Sequence, residues 1–92
     1  MKDVWNAMAD PTRRKILSML QQQDMTAGEI SDKFDISGAT VSHHLKILRE
    51  AELVLSVKEK QTITYSINTT VFQDFLKGIA DVFGMKGESY EK

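Results

Sequence analysis

Residues 36–51 read Ile36-Ser37-Gly38-Ala39-Thr40-Val41-Ser42-His43-His44-Leu45-Lys46-Ile47-Leu48-Arg49-Glu50-Ala51, and their spacing decides the fold. Val41, Leu45 and Leu48 recur at i, i+4 and i+7, the period of a helix with one apolar side. Ser37 stands just ahead of that stripe, where a hydroxyl can accept from the free amides of a first turn. Upstream, Thr26-Ala27-Gly28-Glu29 has the spacing of a capping box and opens a brief helix with Ala27, Ile30 and Phe34 inward. Asp35-Ile36 leaves room for only a tight turn between the two, so the pair reads as a helix-turn-helix.

On the N-terminal side, Val4, Trp5, Met8 and Ala9 recur at helical spacing and predict a short first helix. Asp10-Pro11 closes it and starts another, because Asp caps amides and Pro tolerates the first helical position. The stripe Ile16, Leu17, Leu20 marks that second helix as amphipathic, with Arg13, Arg14 and Lys15 expected off its apolar side, and Gln21-Gln22-Gln23-Asp24 ends it. Beyond Leu53 the period shortens to two. Val54 to Val57 and Thr62 to Ile67 are rich in β-branched residues and flank the polar stretch Lys58-Glu59-Lys60-Gln61, a hairpin pattern. Asn68 and Thr69 or Thr70 cap a last helix carrying Val71, Phe72, Phe75, Leu76, Ile79, Val82 and Phe83, which Gly84 stops. The expectation is a mainly α chain with a small β-hairpin (α+β): one domain over 1–84, then a polar, frayed tail over 85–92.

Composition sets the outer bounds. A chain of 92 residues, 41% apolar and 27% charged, fits one domain. It buries only roughly 60–65% of its unfolded surface, so association is a natural supplement to its stability. No apolar run approaches the ~20 residues a bilayer needs, and Met1-Lys2-Asp3-Val4-Trp5 carries no signal-peptide core; a cytoplasmic, nucleoid-associated protein is expected. Zero Cys excludes disulfides and thiolate metal or redox sites. With a formal net charge of −1 there is no global cationic field, which weighs against a non-specific nucleic-acid coat but leaves a local basic face open. No nucleophile–base–acid set and no Gly-rich phosphate loop occurs, so the chain does not read as an enzyme.

With Val41, Leu45 and Leu48 inward, a wheel at ~100° per residue sends Ala39, Ser42, His43 and Lys46 outward together. Those types suit a DNA duplex: a hydroxyl for a base edge or phosphate, a ring N–H, a point charge, and a small residue for close approach or a thymine methyl. Ser37, Gly38 and Thr40 lie in the first turn, where free amides and the positive dipole end favour phosphate. The same side could equally be the solvated face of an ordinary helix. His44 borders the packed stripe and reads as a satisfied, partly buried histidine in preference to a DNA contact or a pH switch. Lys58 and Lys60 could touch the backbone or the adjacent minor groove, although Glu59 between them cancels one charge; a hairpin tip kept polar for solubility is the alternative. The first and last helices carry a surplus of apolar side chains, Val4, Trp5, Met8, Phe72, Phe75, Leu76, Ile79 and Phe83, which must pack on the monomer or be covered by a partner.

These residues carry a family resemblance. Ala9-Asp10-Pro11-Thr12-Arg13-Arg14 followed by Ile16-Leu17 resembles the opening signature of ArsR-type winged-helix repressors, residues 36–51 resemble their recognition helix, and Tyr65-Ser66-Ile67-Asn68 the end of their second wing strand. The likeness spans about residues 3–83, and within the family it is similar to the short, cysteine-free autorepressors of the SdpR type. It implies a homodimeric winged helix-turn-helix, paired through its first and last helices, that represses transcription from an inverted-repeat operator. It further implies DNA contacts at the positions of Ser42 and His43, helped near Gly38, Ala39 and Thr40, and release through capture by a membrane protein. Two departures stand out: Gly38 replaces a longer polar residue, and the wing tip lacks an Arg-Gly pair. Many relatives sense metals through cysteines or Asp/His clusters. The last helix here offers only Asp74 and Asp81, so neither a metal ion nor another cofactor is expected. A winged-helix protein-interaction module without DNA binding is the alternative, for which the acidic pI of about 6.1 argues.

Overall fold

Five side chains set where the helices begin. Asp3 accepts from the Asn6 amide (2.9 Å) and opens α1, Val4–Ala9; Asp10 accepts from the Arg13 amide (3.0 Å) and opens α2, Pro11–Gln22. Thr26 and Glu29 form the expected reciprocal box, with N–H···O distances of 3.2 and 2.8 Å, at the head of α3, Ala27–Phe34. Ser37 accepts from Thr40 (3.1 Å) to start α4, Gly38–Glu50, and Asn68 accepts from Val71 (3.4 Å) to start α5, Thr69–Val82. Each cap of this kind contributes about 1 kcal/mol. The computed structural model describes residues 3–84, and the tail expected over 85–92 lies outside them.

The hairpin is present but belongs to a larger sheet. Strands β2, Val54–Glu59, and β3, Thr62–Ile67, pair antiparallel with Val54 opposite Ile67 and Glu59 opposite Thr62. A two-residue strand, β1, Met25–Thr26, pairs with the other edge of β3, giving the order β1-β3-β2. Strand β1 thereby ties the entry of the helix-turn-helix to the base of the wing. Lys58 and Glu59 lie in β2, so the turn is Lys60-Gln61, with Lys60 at φ 60°.

The core gathers one stripe from each element. Ile16, Leu17 and Leu20 of α2 meet Ile30 of α3, Val41, Leu45 and Leu48 of α4, and Met25, Leu53, Val54 and Tyr65 from the sheet region, all buried. Each large aliphatic in such a cluster contributes about 1.5–3 kcal/mol. Two expectations change here. Arg13 is not off the apolar side of α2 but buried, at 8% exposure. Val4, expected to face a partner, is also 8% exposed and belongs to the chain's own core, because the short α1 lies directly on α2 and α4. Helix α5 is the opposite case: none of its residues is buried. Val71, Phe72 and Phe75 lean on the core, while Leu76, Val82 and Phe83 stand exposed.

Replacing the capping hydroxyl by Thr26→Ala leaves the Glu29 amide without its acceptor. Urea unfolding followed by circular dichroism is expected to show a loss of about 1 kcal/mol.

Candidate nucleic-acid interface

Helix α4 is held at both ends by turns with left-handed corners. Asp35, at φ 56°, reverses the chain after α3 and donates its amide to the Ser31 carbonyl (3.1 Å), while the Ser31 hydroxyl donates to the Ile36 carbonyl (2.6 Å). Asp tolerates this region better than most residues. At the far end Glu52, at φ 64°, donates to the Arg49 carbonyl (2.9 Å) and Leu53 reaches back to Leu48 (3.0 Å), a crossed pair that closes the helix. Between these corners Val41, Leu45 and Leu48 are sealed inward at 0–1% exposure.

The opposite side of α4 is open. Ala39, Ser42, His43 and Lys46 are all exposed, as are Ser37, Gly38 and Thr40 in the turn before them. The Ser37 and Thr40 hydroxyls bond each other (2.9 Å), and Ser37 also takes the Thr40 amide. Gly38 and Ala39 therefore keep the free amides of the first turn. Apart from its chain neighbours and the helix's own backbone, no heavy atom lies within 4 Å of where a Gly38 side chain would begin, so the tip of α4 is open. Arg49, which is not among the expected site residues, is exposed in the last turn, where a cation also suits the helix dipole. A depression of about 620 Å³ beside α2 and α3, floored by Met19, Met25 and Phe34, shares no residue with this surface.

The wing presents Lys58 and Lys60, both exposed. Lys58 is paired with Ile63 and Glu59 with Thr62, and successive strand residues point to opposite faces. Glu59 thus leaves the face that carries Lys58, and its cancellation of that charge is weaker than the linear sequence suggests.

Behind the open side of α4 lies the buried side chain of Arg13. Its Nε donates to the Ala7 carbonyl (2.8 Å), its Nη2 to the Asn6 carbonyl (2.9 Å), and its Nη1 stands 3.3 Å from His44 Nδ1. Arg14 Nη1 donates to the Met8 carbonyl (2.7 Å). The two arginines together satisfy three carbonyls at the end of α1, a six-residue helix too short to persist alone. His44 is half-buried, as expected. Burial pushes its pKa below the ordinary imidazole value, against the attraction of Asp10, and the Arg13 and His43 charges push the same way as burial. For Asp10, the hydrogen bond from the Arg13 amide holds the carboxyl below its ordinary range, against partial burial.

On the far side, α1 and α5 border a groove of about 230 Å³ lined by Val4, Trp5, Val71, Asp74, Phe75 and Gly78. Trp5 and Phe75 meet edge to face with ring centres 5.0 Å apart. Among the described residues no three His, Cys, Asp or Glu side chains stand together as a metal-ligating group, and no helix is long and apolar enough to cross a membrane.

The depressed pKa of His44 has a definite sign for stability. On acidification the unfolded chain takes up the histidine proton first, near pH 6.5, so stability falls as pH drops from about 6.5 toward the native pKa. Asp10 stabilises above the ordinary carboxylate range, a contribution lost only at more acid pH. Thermal melts across this range are expected to show the first loss in the wild type and a flatter profile in His44→Asn.

The chain's likeness to known proteins agrees with this geometry. The family model for bacterial regulatory proteins of the arsR family matches residues 10–56. The transcriptional repressor SdpR of Bacillus subtilis is 47% identical over 89 residues, covering 97% of this chain and 98% of its own. The structure of the transcriptional activator HlyU from Vibrio cholerae superposes with a TM-score of 0.72 at 30% identity, covering 89% of each chain. An ArsR-like regulator from Rhodococcus sp. RHA1 superposes at 0.80 with 26% identity, over 88% of this chain and 74% of that one. From its capped α2 through the helix-turn-helix to the wing, this chain belongs to the arsR family of bacterial regulatory proteins.

Proposed function

We propose that this chain is a sequence-specific repressor of transcription that binds double-stranded operator DNA as a homodimer. The observation that carries this reading is the two-sidedness of α4: a sealed apolar stripe behind, and Ala39, Ser42, His43 and Lys46 exposed together in front. A convex helix with small, hydroxylated and imidazole-bearing residues suits a major groove about 12 Å wide. Ser42 and His43 read base edges or phosphate, Lys46 supplies charge, and the free amides of Gly38 and Ala39 receive a phosphate beside the Ser37 and Thr40 hydroxyls. Lys58 and Lys60 add backbone contacts from the wing. Repression, as opposed to activation, is favoured by the likeness to SdpR over nearly the whole of both chains.

Pairing supports the same reading. Trp5, Leu76 and Phe83 are exposed apolar side chains at 62%, 47% and 73%. They border the half-buried Met8, Phe72, Phe75 and Ile79. A second copy laid on this surface buries all of them, and a two-fold axis presents α4 twice to one duplex, so the operator is an inverted repeat.

A labelled duplex from upstream of the protein's own gene provides the test. Binding is expected with an affinity that falls steeply as salt rises. Ser42→Ala and His43→Ala are each expected to weaken it about five- to a hundredfold, the loss of one base or phosphate contact, with melting temperature unchanged; normal affinity in both variants removes the assignment of the reading side. Leu76→Glu places a charge on the proposed pairing surface without touching the core. Sedimentation is expected to show a folded monomer, and an intact dimer refutes this interface.

A further inference from the structure

We propose that Arg13 is a positioning residue for DNA recognition: its guanidinium locks α4 to α1 through a neutral His44 whose bare Nδ1 accepts, and protonation of His44 opens the lock. The coupling rests on the DNA-binding reading above; the lock itself rests on the geometry alone.

Arginine is a permanent cation with five N–H donors and no acceptor. Here the three side-chain partners are the carbonyls of Ala7 and Asn6 and the His44 ring, none of them an anion. The buried charge is therefore balanced by the negative end of α1 and not by a carboxylate ion pair. Because Nη1 can only donate, His44 Nδ1 must carry a lone pair, which leaves the ring proton on Nε2. One side chain of α2 thus joins the end of α1 to the middle of the reading helix.

Protonation reverses that contact. An imidazolium turns an N–H toward Nη1 and places a second cation 3.3 Å from the first. The charged groups facing His44 are Arg13 from α2, Asp10 from the turn capping α2 and His43 beside it on α4; α1 contributes no ionisable side chain. Asp10 attracts the new charge, but its carboxylate is engaged by the Arg13 amide. The ring or the guanidinium must swing away, and α4 keeps its apolar contact with α1 but loses the polar one. Since α1 borders the proposed pairing surface, the angle between two reading helices on one duplex then relaxes.

The sign of the effect sets this apart from simple electrostatics. A cation added on the exposed side of α4 would face phosphate and tighten binding. Opening the lock weakens binding in acid.

The test titrates the same upstream duplex by fluorescence anisotropy between about pH 7.5 and 5.5 at fixed salt, with circular dichroism checking the fold at each step. One linked proton changes affinity by at most about tenfold per pH unit, and because His44 titrates below the ordinary imidazole range, a loss of about three- to fivefold across this range is expected for the wild type. His44→Asn keeps an acceptor near the Nδ1 position and does not titrate; it is expected to bind within about threefold of wild type at pH 7.5 and to lose the acid weakening. His44→Gln serves the same end should the shorter side chain leave the protein unfolded. Nitrogen-15 NMR of the imidazoles in the free protein is expected to show His44 Nδ1 unprotonated at pH 7.5, with its titration displaced upward in Arg13→Lys, where one ammonium cannot serve both carbonyls and the ring. Wild-type affinity that stays level or tightens in acid overturns the coupling, as does acid weakening that survives in His44→Asn. A proton on Nδ1 overturns the lock. Absence of any duplex binding at pH 7.5 defeats the DNA reading itself, and the NMR measurement then judges the lock on its own.

Discussion

Helix α4 can be buried on one side only. Val41, Leu45 and Leu48 occupy a stripe that the core completely covers, and at ~100° per residue that choice fixes what the remaining positions face. Were the helix to roll by one residue, it would expose a leucine and draw a lysine or an imidazole inward, at a cost of several kcal/mol. The hydroxyl of Ser37 sets where the helix begins, and the left-handed corners at Asp35 and Glu52 set how it is entered and left. Orientation, start and exit are thus determined locally, and the chemistry offered to a duplex follows from them.

Much of this was legible in the residues themselves. The i, i+4, i+7 stripe located α4, and Thr26 with Glu29 located α3, because a cap and a period are short-range signals that survive in most folds. The third strand was not legible: Met25–Thr26 spans two residues, too few for alternation to register, and Thr26 also serves as the cap of α3. Lys58 and Glu59 looked like turn residues by polarity, whereas pairing with Ile63 and Thr62 carries β2 through them.

Arg13 lies inward despite its charge. It precedes Ile16, Leu17 and Leu20 by three, four and seven positions, which is the inward spacing, but its charge suggested an outward direction. The signal lay in its neighbours. A six-residue helix ending at Ala9 has carbonyls to satisfy and no basic side chain in its own last turn, so a guanidinium following soon after is the natural donor. The candidate reading side was legible as a surface, while the Arg13–His44 contact behind it was not, since it joins residues 31 positions apart.

Helix α5 has no residue out of contact with solvent, unlike the helices that build the core. Local opening free energies follow the apolar contacts that opening breaks, so an isolated chain loses this helix before it loses the remainder. In the proposed pair a second copy covers α5 and supplies part of its order, a contribution that grows with protein concentration. If the proposed pairing holds, dilution acts on this protein unevenly, loosening α5 while the helix-turn-helix keeps its shape.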